Sequence, residues 1–272
     1  YREKNLVEKE PIRNKDIYFG KKLQENLNKV QLKNNLFTTS IKGNDFTIEM
    51  ETGTGKTYVY LRTILELNRQ YEFTKFIIVV PSIAIRTGVE KSIKMLSEHF
   101  KSIYGFDLIK HSFVYDSKNM GNVSENLVES DDLSICIMNI QAFNKDKNKI
   151  KHEDEYGKMI WRDIKTIKPI IIIDEPQKIE GDGKKKSKSL QAIEELEPLF
   201  TLRYSATHKK LYNPIYKLDS YDAFKNDLVK NIEVKTIHST ISKDKPYIRY
   251  LKFTQDLKAK IEIFHQEQGG RI

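Results

Sequence analysis

The stretch 52–57 reads Thr-Gly-Thr-Gly-Lys-Thr and directly follows a strand-like segment at 45–50. Its two glycines let the backbone curl until several N–H groups point at one place, and a helix that begins there adds its N-terminus. In such a loop Lys56 reaches the β- and γ-phosphates of a nucleotide, and the Thr57 hydroxyl ligates Mg²⁺. A chance Gly-Lys-Thr on a surface turn is the alternative. The preferred hypothesis is an ATP–Mg²⁺ loop formed by Thr52, Gly53, Thr54, Gly55, Lys56 and Thr57.

A second group of reactive side chains, Asp-Glu-Pro-Gln at 174–177, ends the apolar run at 170–173. In a parallel sheet, the carboxyl ends of the strands form the edge at which ligands bind. There Asp174 is placed to hold Mg²⁺ through its water shell, and Glu175 to orient or deprotonate an attacking water. A solvated turn at a strand end is the alternative, and the phosphate loop upstream makes it the weaker one.

A third motif follows the next strand, where residues 203–208 read Arg-Tyr-Ser-Ala-Thr-His. Ser205 and Thr207 carry small hydroxyl groups that are able to hydrogen-bond to the Asp-Glu turn and to relay the state of the nucleotide. An ordinary turn from strand to loop is the alternative. His208 lies beside this motif, and we expect it to make a structural hydrogen bond rather than to take part in catalysis.

The elements that position these motifs are apolar strands separated by helical stretches. The strand at 75–80 is stopped by Pro81, and Ser82 is placed to cap the helix that follows. Strands that are apolar on both faces indicate a parallel α/β sheet covered by helices. Strands are predicted at 45–50, 75–80, 133–138, 170–174 and 201–205, and helices at about 19–30, after 57 and after 82.

The overall composition narrows the class of protein. The chain has 272 residues, a single cysteine and a formal net charge of +9. One cysteine excludes a disulfide framework and suits the reducing cytoplasm, where we expect this protein to be. The apolar runs are too short to span a bilayer. The positive charge suits a polyanionic partner. Because the chain starts at Tyr1, we also expect it to be a piece of something longer.

Together, Thr-Gly-Thr-Gly-Lys-Thr, Asp-Glu-Pro-Gln and Ser-Ala-Thr resemble the motifs of superfamily 2 helicases and translocases. In finer detail, the sequence resembles the restriction (Res) subunit of type III restriction–modification systems. The resemblance is carried by the acidic version of the first motif at 49–57 and by the segments 174–177 and 202–208. The resemblance implies a three-layer RecA-like P-loop NTPase domain with a mostly parallel sheet flanked by helices. The resemblance covers about residues 45–230. With the pattern of the flanking residues, the chain is divided into an N-terminal arm and helix at 1–44, the motor domain at 45–217, and an extended connection or the start of a second lobe at 218–272.

The resemblance assigns roles to individual residues. Residues 52–57 would bind ATP, and Gln177 would lie at the lobe interface. Asp174 and Glu175 would serve Mg²⁺ binding and hydrolysis. A third group would couple the nucleotide site to DNA: Ser205, Ala206 and Thr207. Pro81, Ser82 and Arg86 match the segment that contacts the DNA backbone, and 137–143 loosely matches another. A plain N-cap with a solvated arginine is the alternative for Ser82 and Arg86.

The family resemblance further implies an ATP-driven motor that moves along double-stranded DNA and permits its cleavage. Its partner would be a modification (Mod) methyltransferase subunit that uses S-adenosylmethionine. The second lobe and the nuclease domain of the family are not recognised, so this piece is expected to bind nucleotide weakly and hydrolyse it poorly alone.

Two alternatives stay open: another superfamily 2 DNA helicase or translocase, such as a type I restriction motor or a repair helicase, and a nucleic-acid-binding module with a vestigial ATP site. The lysine-rich run at 184–188 is interpreted as a solvated, flexible loop, with contact to DNA as the alternative.

Overall fold

The computed structural model describes residues 11–18, 20–154, 157–181, 186–230, 247–253 and 259–264. The chain divides into two units, Tyr1–Lys230 and Asn231–Ile272, and each is described by itself. The domain limits expected from the sequence, 1–44, 45–217 and 218–272, stay a prediction.

The first unit is built on a parallel sheet of seven strands in the order β3-β4-β2-β5-β6-β1-β7. All five predicted strands are present, and two shorter edge strands, β3 and β7, were not predicted. The strands are β1 Asp45–Met50, β2 Lys75–Val80, β3 Ser112–Val114, β4 Ser134–Asn139, β5 Ile170–Asp174, β6 Phe200–Ser205 and β7 Pro214–Leu218.

Helices cover both faces of this sheet. The three predicted helices are present, and Ser82 caps the third as expected, since its hydroxyl oxygen accepts a 3.3 Å hydrogen bond from Ile85 N. A helix that was not predicted begins after Asp219, whose carboxylate accepts a 2.9 Å hydrogen bond from Asp222 N. The helices are α1 Lys21–Lys33, α2 Lys56–Tyr71, α3 Ile83–Tyr104, α4 Met120–Val123, α5 Ile160–Thr166, α6 Lys188–Glu195 and α7 Ser220–Lys225.

The two faces of the sheet carry separate apolar clusters because successive side chains of a strand alternate between faces. In β2, Phe76 and Ile78 join the cluster beneath α2 and α3, whereas Ile77 and Val79 join the cluster on the opposite face. The sheet is thus one layer between two helical layers, so the predicted three-layer RecA-like α/β fold is confirmed. Cys136 lies fully buried in the second cluster.

The second unit contains an antiparallel pair, β8 Tyr247–Phe253 and β9 Ala259–Phe264. Both strands fall within the extended connection or second lobe expected at 218–272, and residues 231–246 of that stretch lie outside the described residues. Among the residues that the structure describes, no helix combines the length and the apolar character needed to cross a bilayer.

Candidate functional site

The phosphate loop joins the end of β1 to the start of α2. Gly53 and Gly55 adopt left-handed backbone angles, with φ of 83° and 91°, which side-chain-bearing residues rarely adopt. The first intrahelical hydrogen bond runs from Val59 N to Gly55 O at 3.1 Å. The N–H groups at 55–58 precede it and have no acceptor four residues back within the helix. They lie at the end of α2 that carries positive partial charge, which is the geometry that binds phosphate.

The acidic turn begins where β5 ends. Glu175 has left-handed backbone angles, φ 56° and ψ 56°, a conformation that costs a residue with a side chain about 1–2 kcal/mol. It is held there because its N–H donates to Tyr204 O at 3.0 Å and because Pro176 follows. Strain of this kind collects at functional sites. The turn therefore aims the Glu175 side chain at a fixed place.

The loop and the acidic turn meet directly. Lys56 Nζ lies 2.9 Å from Glu175 Oε1, and the two side chains are only 12% and 18% exposed. β1 and β5 are not neighbours in the sheet, because β6 runs between them. Since parallel strands end at the same edge, their carboxyl ends still converge. The phosphate loop and the acidic turn therefore face each other at the carboxyl edge of the sheet, the edge at which the sequence placed the acidic turn.

The two carboxyl groups of the turn have different electrostatic surroundings. Burial raises the pKa of Asp174 to about 6, and the neighbouring charge of Glu175 adds to this effect. For Glu175, burial also acts to raise the pKa, but the hydrogen bond and charge of Lys56 outweigh it and hold the pKa below its usual value. Paired carboxyl groups whose pKa values are driven apart are typical of sites with distinct roles for each.

A cleft of about 620 Å³ contains this contact. Its oxygen donors suit Mg²⁺, because a hydroxyl from Thr57 and the buried carboxylate of Asp174 are hard ligands on one wall. A cation there would offset the unfavourable burial of the Asp174 charge. The cleft is lined by Thr52, Gly53, Gly55, Lys56, Thr57, Tyr58, Ile85, Ser92, Met95, Leu96, Asp174, Glu175 and Lys178.

Two predicted nucleotide-site residues lie outside this lining. Thr54 closes the loop on itself, because its hydroxyl donates to Glu51 O at 2.7 Å. Gln177 lies behind the acidic turn, where its amide N–H group donates to Glu175 Oε2. Thr54 therefore stabilises the backbone of the loop, and Gln177 orients the Glu175 side chain that faces the cleft.

A hydrogen-bonded chain links the Ser-Ala-Thr segment to the loop. Ser205 Oγ donates to Gln177 Oε1 at 2.7 Å, Gln177 donates to Glu175, and Glu175 contacts Lys56. The Thr207 N–H donates to Ser205 Oγ at 3.0 Å and closes the turn around Ala206. As expected, the His208 ring makes a structural hydrogen bond, with Nε2 3.1 Å from Ile48 O.

A second cleft, of about 480 Å³, adjoins the start of α3. It brings together Arg86 and the segment 137–143, since Gln141 donates to Pro81 O at 2.9 Å. We call it the basic cleft. Its lining residues are Arg86, Tyr115, Asp116, Ser117, Asn139, Gln141, Ala142, Lys147, Asn148 and Lys149.

Sequence reasoning missed Lys147 and Lys149 as members of the basic cleft. The lysine- and asparagine-rich composition of 144–156 was the available signal. Arg86 itself is partly held, because its Nε lies 3.3 Å from Glu90 Oε1, one turn along α3. Arg86 Nε and Asn139 Oδ1 are both buried, and neither finds a hydrogen-bond partner among the described residues.

Comparison with known families and proteins agrees with the motifs. The family model for "Type III restriction enzyme, res subunit" matches residues 12–210. The EcoPI Res subunit of Escherichia phage P1 is 34% identical over 233 residues, covering 78% of this chain and 23% of that protein. The EcoP15I Res subunit of Escherichia coli is 34% identical over 212 residues, covering 70% and 21%.

Two further proteins are less similar to this chain. The StyLTI Res subunit of Salmonella typhimurium is 26% identical over 225 residues, covering 69% of this chain and 22% of that protein. Among solved structures, the Sulfolobus solfataricus SWI2/SNF2 ATPase core in complex with dsDNA aligns over 72% of this chain and 33% of that one. Its TM-score of 0.39 and identity of 16% are too low to add support.

The chain spans about a fifth of the length of its curated relatives, between 21% and 23%. The matched residues 12–210 contain the phosphate loop, the acidic turn and the Ser-Ala-Thr segment. The family expected from these motifs is thereby confirmed, and the chain belongs to the family of type III restriction enzyme Res subunits.

Proposed function

We propose that this chain is the ATP-dependent DNA translocase motor domain of a type III restriction endonuclease Res subunit. It couples hydrolysis of Mg–ATP to movement along double-stranded DNA. The observation that carries the proposal is the 2.9 Å contact between Lys56 and Glu175, which puts the phosphate loop and the acidic turn in one cleft. Family membership supports the same activity.

In the nucleotide site, the N–H groups at 55–57 hold the β-phosphate and Lys56 binds the β- and γ-phosphates. The N–H groups of Thr52 and Thr54 donate to Glu51 and shape the loop. Thr57 and Asp174 hold Mg²⁺, which when bound neutralises the charge that develops on the phosphate oxygens. Lys56 moves from Glu175 to the phosphates, so Glu175 is freed to orient the attacking water. Gln177 holds Glu175 from behind.

In the basic cleft, Arg86, Lys147 and Lys149 bind phosphates of the DNA backbone. Pro81 and Ser82, which precede α3 and are joined to this cleft by the hydrogen bond from Gln141 to Pro81 O, contact the same backbone. Contacts of this kind are independent of base sequence and sensitive to salt, as a motor that moves along DNA requires. The net charge of +9 supports a polyanionic partner.

The Ser205–Gln177 hydrogen bond, with Ala206 and Thr207, transmits the state of the nucleotide to the bound DNA.

The relatives of this chain are subunits of type III restriction-modification enzymes. On that basis we propose cleavage of double-stranded DNA by domains outside this chain, a Mod methyltransferase partner that uses S-adenosylmethionine, and a cytoplasmic location.

ATP hydrolysis by the full-length protein, measured with and without duplex DNA, tests the proposal. DNA is expected to stimulate hydrolysis, and Lys56→Ala is expected to abolish it. Lys94→Ala, which removes an exposed lysine from α3, serves as the matched control and is expected to behave as wild type. Equal hydrolysis by wild type and Lys56→Ala would contradict the motor and would favour a binding module with a vestigial ATP site.

A further inference from the structure

Tyr60 is a fully buried tyrosine, 0% exposed, on the helix that follows the phosphate loop. That hydroxyl is buried and finds no hydrogen-bond partner among the described residues. Nearly all buried polar groups in folded proteins are hydrogen-bonded, so an exception points to a partner that arrives later. Removing water from a hydroxyl without replacing its hydrogen bond destabilises the protein.

The position of Tyr60 on α2 directs this hydroxyl to the nucleotide site. Residues three apart on a helix are neighbours on one face, so Tyr60 lies next to Thr57. Long helical side chains lean back toward the N-terminus of their helix, which here is the phosphate loop. The hydroxyl has a weak polar interaction with the Thr57 side chain that falls short of full hydrogen-bonding geometry, and the charge of Asp174 acts on it as well.

Packing fixes the direction in which the ring points. The ring of Tyr204 meets it edge-on, with centroids 5.6 Å apart and an interplanar angle of 66°. Tyr204 is itself held, because its hydroxyl lies 3.3 Å from Thr63 Oγ1 and because it pairs with Asp174 in the β5–β6 register. A phenylalanine would fill the same space, so the oxygen of Tyr60 is the feature that needs an explanation.

We propose that Tyr60 is a positioning residue of the magnesium site, which donates its hydroxyl proton to Thr57 Oγ1 when Thr57 turns to the cation. The inference rests on the proposed function. A threonine hydroxyl has one proton and two lone pairs. One lone pair accepts from Tyr60, the other faces the cation, and the proton points to Asp174. Every polar atom then has a partner, and Thr57 is fixed in the orientation that ligates Mg²⁺.

Tyr60→Phe in the full chain tests this, since it removes only the hydroxyl oxygen. Thermal unfolding is measured without ligand and then with a non-hydrolysable ATP analogue while MgCl₂ is titrated. Without ligand, the midpoint is expected to rise by about 2–4 °C, because a buried hydroxyl without a partner is lost. The Mg²⁺ concentration that half-saturates the nucleotide-stabilised state is expected to rise about tenfold, as for other groups that orient a metal ligand.

Tyr204→Phe is the matched control. It removes a buried hydroxyl that already has a hydrogen-bond partner, so its unliganded midpoint is expected to fall while its Mg²⁺ requirement stays that of wild type. The inference is overturned if Tyr60→Phe also lowers the unliganded midpoint, or if it leaves the Mg²⁺ requirement unchanged. If the wild-type chain gains no stability from Mg²⁺ with the ATP analogue, the proposed function itself fails.

Discussion

Lys56 and Glu175 neutralise each other at 2.9 Å in the cleft that the phosphate loop and the acidic turn share. Both side chains are largely shielded from water, so the contact is stronger than an exposed ion pair. Under the proposed function, the phosphates of ATP compete with Glu175 for Lys56. We therefore expect ATP binding to release the Glu175 carboxylate, so that this carboxylate becomes available when a substrate is present.

Glu175→Gln follows from this exchange. Glutamine is the same size but has no negative charge and is not a base, so the variant is expected to bind ATP at least as tightly as wild type. Its rate of hydrolysis is expected to fall by about 10²–10⁴-fold, the usual contribution of a general base. Equilibrium binding of a fluorescent ATP analogue and single-turnover hydrolysis measure the two effects separately. Loss of ATP binding in Glu175→Gln would show that this residue holds the nucleotide instead.

Ser205→Ala tests the hydrogen-bonded chain behind the acidic turn. The variant loses the 2.7 Å bond from Ser205 to Gln177, so Gln177 no longer fixes Glu175 relative to β6. We expect ATP binding to be kept and the stimulation of hydrolysis by duplex DNA to be lost. Ser187→Ala is the control, because it removes a hydroxyl that caps α6 and is expected to cost about 1 kcal/mol of stability only. Wild-type stimulation in Ser205→Ala would mean that this bond carries no signal.

The parts of the fold that sequence predicted are those fixed by local chemistry. The phosphate loop needs glycines at particular positions, and β5 is an unbroken apolar run. Both can therefore be predicted without knowing which elements pack against them. The strand β7 was missed because it is an edge strand that begins at Pro214 and is half exposed. The helix α7 was missed because it has six residues and shows no full apolar period.

The features that the sequence did not predict depend on contacts between side chains that are distant in sequence. Lys147 reaches the cleft that contains Arg86 only because the loops after β2 and β4 leave the sheet at the same edge. Arg203 is 3% exposed at its side chain and pairs with both Asp45 and Glu180, a triad that no spacing reveals. The roles assigned to individual site residues stay predictions.

Lys75 gives the stability of the domain a pH dependence that is separate from the nucleotide site. Burial lowers the pKa of Lys75 to about 8 from its ordinary 10.5, and the charges of Asp131 and Asp132 oppose this shift. Its ammonium group donates to Ser130 O. Between these two pH values the unfolded chain binds more protons than the folded one, so the free energy of unfolding rises with pH.

We therefore expect this residue to raise the free energy of unfolding by up to about 1.4 kcal/mol per pH unit between pH 8 and 10.5. Lys75→Met keeps the length of the side chain without the charge, and should be more stable than wild type at pH 7. Urea unfolding of both proteins across this range measures the difference. If their curves run parallel from pH 8 upward, burial of the charge does not contribute.

The proposed DNA contact makes two predictions of opposite sign on one helix. Arg86→Ala removes a phosphate ligand, so affinity for duplex DNA should fall and the slope of log K against log salt should become shallower by about 0.9. Glu90→Ala removes the carboxylate 3.3 Å from Arg86, so affinity should rise because the guanidinium is released. Glu98→Ala removes the same charge two turns further along α3, where it is exposed, and should change affinity little.

Fluorescence anisotropy over a salt series measures the DNA affinity of all three variants. Equal effects of Glu90→Ala and Glu98→Ala would indicate a general influence of charge, and an unchanged salt slope in Arg86→Ala would remove Arg86 from the DNA path.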